Sequence, residues 1–213
     1  MVTSVVHDLV ELSGRAVTEL TVRAEFEGQP WVGESLAQFP WVVVRRFAPT
    51  DDDRASVGVR GDSRYRRWGS EVRTTDCLRV LTPADLRGRS AAGATRDLPA
   101  FTALELLREE MPEGDWGPGG SVGAELAYGI AAVTSDSDLD VVIRLDGIPA
   151  EAQVAEFSTA LREVADRTGV RTDALVETPL GGIHLDELAG SGSSVIARTA
   201  GGPALVTVAG SRS

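Results

Sequence analysis

The residues whose types and spacing could do chemistry are two aspartates separated by one residue, Asp138 and Asp140. The Val-Val-Ile run that follows them favours a buried strand, and successive side chains of a strand project to opposite faces. Both carboxylates are therefore expected on one face. Adjacent carboxylates repel each other, and the repulsion raises a pKa unless a cation lies between them. The pair is a candidate ligand set for Mg²⁺, which binds one or two carboxylates together with substrate phosphates.

A glycine-rich segment, Gly119-Gly120-Ser121, lies upstream of the aspartates and is followed by helix-forming residues. Glycine lets the backbone approach a phosphate closely, and the amides at a helix start bind anions, to which the Ser121 hydroxyl adds a donor. Glycine-rich segments are often simple loops, and acid-apolar-acid patterns also occur on exposed edge strands. The two motifs in this order, with a helix between them, are more specific than either one alone.

A third acid, Asp173, lies in a second predicted strand that could run beside the first. Its carboxylate could complete a triad with Asp138 and Asp140, either by bridging a metal or by accepting a proton. Glu177 shares the same strand face by the period of two and is the alternative member. Asp173 could also be only a solvated residue at the start of a strand.

Hydrophobic spacing predicts the elements that carry these residues. Helices are predicted at 99–111 and 149–167, and strands at 139–145 and 170–176. Short strands are predicted earlier in the chain, at 41–45, 56–60 and 77–81. The small polar stretch 88–97 is typical of a linker. The sequence therefore predicts an α/β (α+β) protein with an N-terminal substrate- or carrier-binding domain at 1–87 and a catalytic domain, built on a small mixed sheet, at 97–213.

Composition narrows the class of protein. The 213 residues carry a net charge of −11, which argues against nucleic acid as the partner. No run of 18 uncharged apolar residues is present, so no membrane span is expected. Cys77 is the single cysteine, which excludes an intramolecular disulfide and favours a reducing, cytoplasmic location. Lysine is absent from the chain, so mechanisms that need a lysine are excluded.

Basic residues concentrate in one part of the chain, where residues 45–89 hold 11 of the 21 arginines. Arg60 and Arg64 flank the turn at Gly61 and are the preferred candidates for binding a polyphosphate or an acidic carrier protein. A solvated basic surface paired with nearby acids is the alternative explanation.

The order Gly-Ser, helix, Asp-x-Asp and later acid resembles the DNA polymerase beta type nucleotidyltransferase superfamily. More closely, the chain resembles the malonate decarboxylase holo-acyl-carrier-protein synthases, the phosphoribosyl-dephospho-CoA transferases. The resemblance is carried by HDLVEL at 7–12, WVVVRR at 41–46, VGVRGDSRYRRW at 57–68, WGPGGSVGAELAYG at 116–129, SDSDLDVVIRL at 135–145 and TDALVETPLGGIHLDELA at 172–189. These stretches fall in order and span nearly the whole chain.

The resemblance implies a nucleotidyltransferase-like C-terminal domain and a reaction. The phosphoribosyl-dephospho-CoA part of triphosphoribosyl-dephospho-CoA would pass to a serine of the apo acyl carrier protein subunit of malonate decarboxylase, and pyrophosphate would leave. Asp138 and Asp140 would be the catalytic acids. A compatible mechanism uses two Mg²⁺ ions about 3.5–4 Å apart, with Asp173 helping to deprotonate the serine and Gly119, Gly120 and Ser121 holding the leaving phosphates.

Two other functions remain open from the sequence. The chain could be a different nucleotidyltransferase of the same fold, acting on a small molecule or a protein. It could also be a noncatalytic carrier-binding module that keeps the acids for structural reasons.

Overall fold

The computed structural model of the chain describes residues 5–61, 66–90, 97–129, 131–190 and 194–208. Backbone contacts divide the chain into two compact units, Met1–Thr82 and Pro83–Ser213. The division falls earlier than residue 87, where the sequence placed the end of the first domain. The reason is that the short helix at Pro83–Arg87 contacts a strand and a helix of the second unit.

In the first unit the described strands form an antiparallel sheet with the order β4-β3-β2-β1-β5. The strands are β1 (Leu9–Leu12), β2 (Trp41–Val44), β3 (Arg54–Arg60), β4 (Arg67–Arg73) and β5 (Cys77–Leu81). Two helices, α1 (Gly14–Phe26) and α2 (Trp31–Gln38), bury their apolar faces in a common core with this sheet.

The start of α1 is held by a polar contact to the segment before β5. Ser13 is the N-cap, and its Oγ accepts a hydrogen bond from the Ala16 N–H (3.2 Å). The same hydroxyl donates to Oδ1 of Asp76 (2.7 Å), and Arg15 donates to both Asp76 oxygens, at 3.1 and 2.8 Å. Asp76 is buried, so the cost of removing its charge from water is offset by these donors.

In the second unit the described strands form a mixed sheet with the order β11-β10-β9-β8-β7-β6. The β7–β8 pair is parallel and the other pairs are antiparallel. The elements are α3 (Pro83–Arg87), α4 (Pro99–Glu110), β6 (Trp116–Pro118), α5 (Gly120–Tyr128), β7 (Leu139–Arg144), α6 (Glu151–Thr168), β8 (Thr172–Thr178), β9 (Gly181–His184), α7 (Leu185–Ala189), β10 (Ser194–Thr199) and β11 (Gly202–Thr207).

Helix α6 connects the two parallel strands and packs against β8 and α4. Its buried residues, Val154, Phe157, Leu161 and Val164, recur at helical spacing. The helix ends at Gly169, whose φ of 70° is the left-handed conformation that favours glycine at a helix C-terminus. The crossover therefore brings β8 back beside β7.

The α+β class is confirmed, and the predicted helices at 99–111 and 149–167 and strands at 139–145 and 170–176 correspond to α4, α6, β7 and β8. Part of the predicted linker, residues 91–96, lies outside the described residues. Within the described ranges, every helix is too short or too polar to span a bilayer.

Candidate active site

The acid pair lies at the start of β7 in the second unit. Asp140 is the second residue of the strand and Asp138 precedes it, and both are exposed. The intervening Leu139 is 0% exposed and the next residue, Val141, is 2% exposed. Exposure thus alternates along residues 138–141 in the way that the period of a strand requires. At the start of β7 both acids therefore lie on the side that faces solvent, whereas Leu139 and Val141 face the core.

Asp173 lies beside this pair because of the sheet register. In the parallel β7–β8 ladder, Asp140 is directly opposite Asp173. Neighbouring strands are about 4.8 Å apart, and residues opposite each other project to the same face. The prediction that the third acid lies on a strand next to the first is therefore confirmed.

The glycine-serine turn touches the same acid from the other side. The Gly119 N–H donates to the backbone carbonyl of Asp140 at 2.8 Å. Gly120 has a φ of 54°, and a Cβ placed on it would overlap Oδ2 of Asp140. Helix α5 begins at Gly120 with Ser121 as its second residue, so amide groups without a partner inside the helix lie at this turn. The Asp140 carboxylate and the phosphate-binding candidate are in direct contact.

Two further side chains face Asp173. Nδ1 of His184, the last residue of β9, lies 3.1 Å from its Oδ1. The Arg171 guanidinium lies 4.0 Å from Oδ2 of Asp173 and 3.8 Å from Oδ2 of Asp138. The two Arg171 distances are too long for hydrogen bonds, and its side chain is 72% exposed, so these ion pairs are weak. The contact from His184 is the specific one.

Glu177 is the candidate of the second unit that does not join this group. Glu177, the alternative third acid, lies opposite Arg144, four residues along β8 from Asp173 and about 13 Å away at the rise of a strand. Arg60 is exposed at the end of β3 in the first unit. Arg64 lies outside the described residues.

The donor chemistry of the site suits a magnesium ion. Asp138, Asp140 and Asp173 offer carboxylate oxygens on one exposed face, and oxygen is the donor that Mg²⁺ prefers. Among the described residues, no group of three or more histidine, cysteine, aspartate or glutamate side chains is arranged to hold a metal by itself. Magnesium does not need such a cage, because substrate phosphates and water complete its coordination.

His184 is the residue at this site that the sequence did not single out. It occupies the N-cap position of α7, although its side chain makes no capping hydrogen bond. Its contact with Asp173 depends on the pairing of β9 with β8, where His184 is opposite Leu175. No local pattern in the sequence signals a contact that is created by strand pairing.

Exposed carboxylates beside a glycine-serine turn at a helix start are typical of enzymes that transfer phosphate-containing groups. Comparison with protein families agrees with this class. Residues 85–209 match the family described as phosphoribosyl-dephospho-CoA transferase MdcG C-terminal domain, and residues 5–83 match the corresponding MdcG N-terminal domain. The chain belongs to the phosphoribosyl-dephospho-CoA transferase family. The predicted family and the predicted transferase class are confirmed.

Curated relatives named phosphoribosyl-dephospho-CoA transferase are similar over nearly the whole chain. The Pseudomonas aeruginosa protein is 35% identical over 202 residues, covering 94% of this chain and 90% of the relative. A Pseudomonas putida protein is 36% identical over 203 residues, covering 94% and 92%. The Klebsiella pneumoniae protein is 31% identical over 198 residues, covering 92% and 91%. No solved structure matches the chain significantly.

Proposed function

We propose that this protein transfers the phosphoribosyl-dephospho-CoA group from triphosphoribosyl-dephospho-CoA to a serine of the apo acyl carrier protein of malonate decarboxylase. Pyrophosphate is the second product. The observation that carries the proposal is the contact between Asp140 and the turn at Gly120, together with the register that sets Asp140 opposite Asp173. Membership of the transferase family supports the choice of donor.

Asp138 and Asp140 are the residues that would hold Mg²⁺, with two ions expected during turnover. When bound there, magnesium supplies positive charge that balances the phosphate oxygens of the donor. The two carboxylates are exposed, so they are accessible to a polyphosphate substrate without rearrangement of the core. Their own negative charge also requires such a counter-charge when a polyanion approaches.

The turn formed by Gly119, Gly120 and Ser121 holds the leaving pyrophosphate. The first amides of α5 lack acceptors within the helix, and the helix dipole favours an anion at this end. Gly120 is needed for two reasons. A side chain there would overlap the Asp140 carboxylate, and its φ of 54° is a left-handed conformation that favours glycine. A cation held by Asp138 and Asp140 would supply positive charge next to this phosphate site.

Asp173 accepts the proton of the carrier serine. In the transfer the serine Oγ forms a bond to the phosphorus of the donor, the bond between that phosphorus and the pyrophosphate oxygen breaks, and the hydroxyl proton passes to the Asp173 carboxylate. His184 holds one oxygen of this carboxylate, since its Nδ1 lies 3.1 Å from Oδ1. The other oxygen, Oδ2, remains directed towards the side of Arg171 and Asp138.

Arg60 and Arg64 are proposed to contact the polyphosphate of the donor or acidic residues of the carrier. A guanidinium offers a fork of donors that matches both phosphate and carboxylate. Arg60 is exposed, as this role requires.

Mass spectrometry of the carrier protein tests the function. The protein is incubated with Mg²⁺, the apo carrier and triphosphoribosyl-dephospho-CoA, and the mass of the carrier is measured before and after. We expect the carrier serine to gain the phosphoribosyl-dephospho-CoA mass through a phosphodiester. The positive control is a family member, such as the Pseudomonas aeruginosa relative, tested on the same carrier. If that control modifies the carrier and this protein does not, the proposal is refuted. Labelling of a different acceptor by ATP or CTP would indicate another nucleotidyltransferase.

A further inference from the structure

Glu125 is a buried acid for which the reaction has no use. It lies in the middle of α5, and only 2% of its surface is exposed. Its neighbours on the helix, Val122 and Leu126, are buried apolar residues. A carboxylate in such a position is unfavourable unless hydrogen bonds compensate for the lost water. The burial of Glu125 therefore indicates a structural or functional role for its side chain.

The compensating donors come from the segment that leads to the acid pair. Oε2 of Glu125 accepts hydrogen bonds from the backbone N–H groups of Ala132 and Val133, each at 2.8 Å. Two amide donors on one side-chain oxygen replace hydrogen bonds to the water that burial removes. Val133 is itself 3% exposed and its bond to Glu125 is buried, whereas the bond from Ala132 is partly buried.

The segment held in this way is short and ends at the acids. After Val133 the chain makes a turn in which the Thr134 N–H donates to Oγ of Ser137 at 2.9 Å and the Ser137 N–H donates to the Thr134 carbonyl at 3.2 Å. Asp138 is the next residue. Few residues thus separate the Glu125 contact from the first catalytic candidate, and the two hydrogen bonds of the turn constrain their backbone.

The same helix is also tied to the second acid at its other end. The Gly119 N–H at the start of α5 donates to the Asp140 carbonyl at 2.8 Å. Helix α5 therefore contacts the acid-bearing chain at two points, one before Asp138 and one at Asp140. Together the two contacts fix residues 132–140 against the helix whose first turn carries Ser121.

We propose that Glu125 is a positioning residue, which holds the segment before Asp138 so that the acid pair keeps its place beside the glycine-serine turn. This inference rests on the proposed function for its catalytic consequence. Glu125 acts through the length and direction of its side chain rather than through its charge. A displacement of about 1 Å in a catalytic group can cost about a hundredfold in rate, so loss of the contact should impair turnover.

Two conservative variants separate length from charge. Glu125→Gln keeps the length and an oxygen that can accept from Ala132 and Val133, but removes the charge. Glu125→Asp keeps the charge, but is one methylene shorter and does not reach both amides. Glu163→Gln and Glu163→Asp, at an exposed position of α6, are the matched controls.

Two measurements are made on each variant: kcat and KM for carrier modification, and amide hydrogen exchange of residues 131–138. We expect Glu125→Gln to stay within about threefold of the wild type in kcat and to keep slow exchange at Ala132 and Val133. Glu125→Asp should lose about a hundredfold in kcat with little change in KM for the carrier, and should exchange faster in this segment. The Glu163 variants should match the wild type in both measurements.

A loss of activity in Glu125→Gln equal to that in Glu125→Asp would overturn the proposal, because the charge would then matter rather than the geometry. Unchanged exchange at Ala132 and Val133 in Glu125→Asp would overturn it as well. If the wild-type protein does not modify the carrier, the proposed function fails, whereas the exchange measurement still decides whether Glu125 holds the segment. Circular dichroism of each variant shows that the fold is retained.

Discussion

The side-chain oxygen Oδ2 of Asp140 lies against the Cα of Gly120, so closely that a Cβ on Gly120 would overlap it. Two residues that are far apart in sequence, one on a strand and one at a helix start, are thus in van der Waals contact. The contact joins the candidate cation ligands to the candidate phosphate site. It also makes Gly120 a sensitive position in the molecule.

Replacement of Gly120 by alanine should lower carrier modification by at least about a hundredfold. The new methyl group would displace the Asp140 carboxylate, and the positive φ adds strain of about 1–2 kcal/mol. Gly147→Ala is the matched control, because a Cβ there meets nothing within 4 Å. Steady-state kinetics and the midpoint of thermal unfolding are measured for both variants. Full activity of Gly120→Ala would show that the Asp140 carboxylate is not needed at that place.

Replacement of Asp138 or Asp140 by asparagine should reduce turnover by about a hundredfold or more while leaving the fold intact. Each change removes negative charge from the proposed cation site, and both side chains are exposed, so the apolar side chains of the core are not altered. Asp136→Asn, an exposed aspartate that accepts a hydrogen bond from the adjacent Ser135, is the control. Near-full activity of either site variant in the presence of magnesium would exclude that residue from the site.

Removal of divalent cations should abolish the reaction, and magnesium should restore it. Dialysis against a chelator followed by titration with MgCl₂ is monitored by the mass of the carrier. We expect the Mg²⁺ concentration for half-maximal activity to rise in Asp138→Asn, because one carboxylate ligand is missing. Activity that persists unchanged in the chelator would contradict the proposed role of the acid pair.

His184 should contribute through the hydrogen bond that it makes with Asp173. His184→Asn keeps an amide nitrogen near the position of Nδ1 and should stay within about threefold of wild-type kcat. His184→Leu removes the hydrogen bond and should lose roughly tenfold, the equivalent of about 1.4 kcal/mol. Equal kcat values for the two variants would show that the hydrogen bond does not orient Asp173 for the reaction.

Asp76 should make the stability of the first unit depend on pH. Burial by itself raises the pKa of Asp76, but the hydrogen bonds from Ser13 and Arg15 and the charge of Arg15 outweigh it, so that the pKa lies below its ordinary value. The native state therefore binds this proton less readily than the unfolded state. The stabilisation is fully present above the ordinary aspartate pKa of about 3.9 and is lost as the pH falls through the lowered native value.

The test of this dependence is Asp76→Asn. We expect this variant to lose about 2 kcal/mol in the free energy of unfolding at pH 7, because charge-assisted hydrogen bonds are weakened. Urea unfolding over a pH series should show that the difference from the wild type shrinks below about pH 4. Asp51→Asn, whose carboxylate is 69% exposed, should show almost no difference at any pH. A constant difference between wild type and Asp76→Asn at all pH values would contradict the lowered pKa.

Short-range patterns in the sequence were enough for several elements and for the acids themselves. The period-two alternation at 138–141 and the apolar spacing of 154–164 are local features, and β7 and α6 follow them. Elements with weaker local signals were not predicted. The buried face of α1 consists of Ala16, Leu20 and Ala24, which are too few and too small to produce a clear apolar period. The strand β4 alternates Trp68 and Val72 with charged and small residues and was missed as well.

By itself, the sequence determined the kinds of chemistry available: paired aspartates, a glycine-serine turn, arginine as the basic side chain, and the family to which the chain belongs. The tertiary structure alone decided which groups meet. The register of β7 with β8 sets Asp140 opposite Asp173, and the pairing of β8 with β9 brings His184 to Asp173. The path of the chain after α5 brings the amides of Ala132 and Val133 to Glu125. The physical reason is that a strand's period fixes only the face on which a side chain lies. Its neighbours across the sheet are set by backbone hydrogen bonds between segments that are distant in sequence.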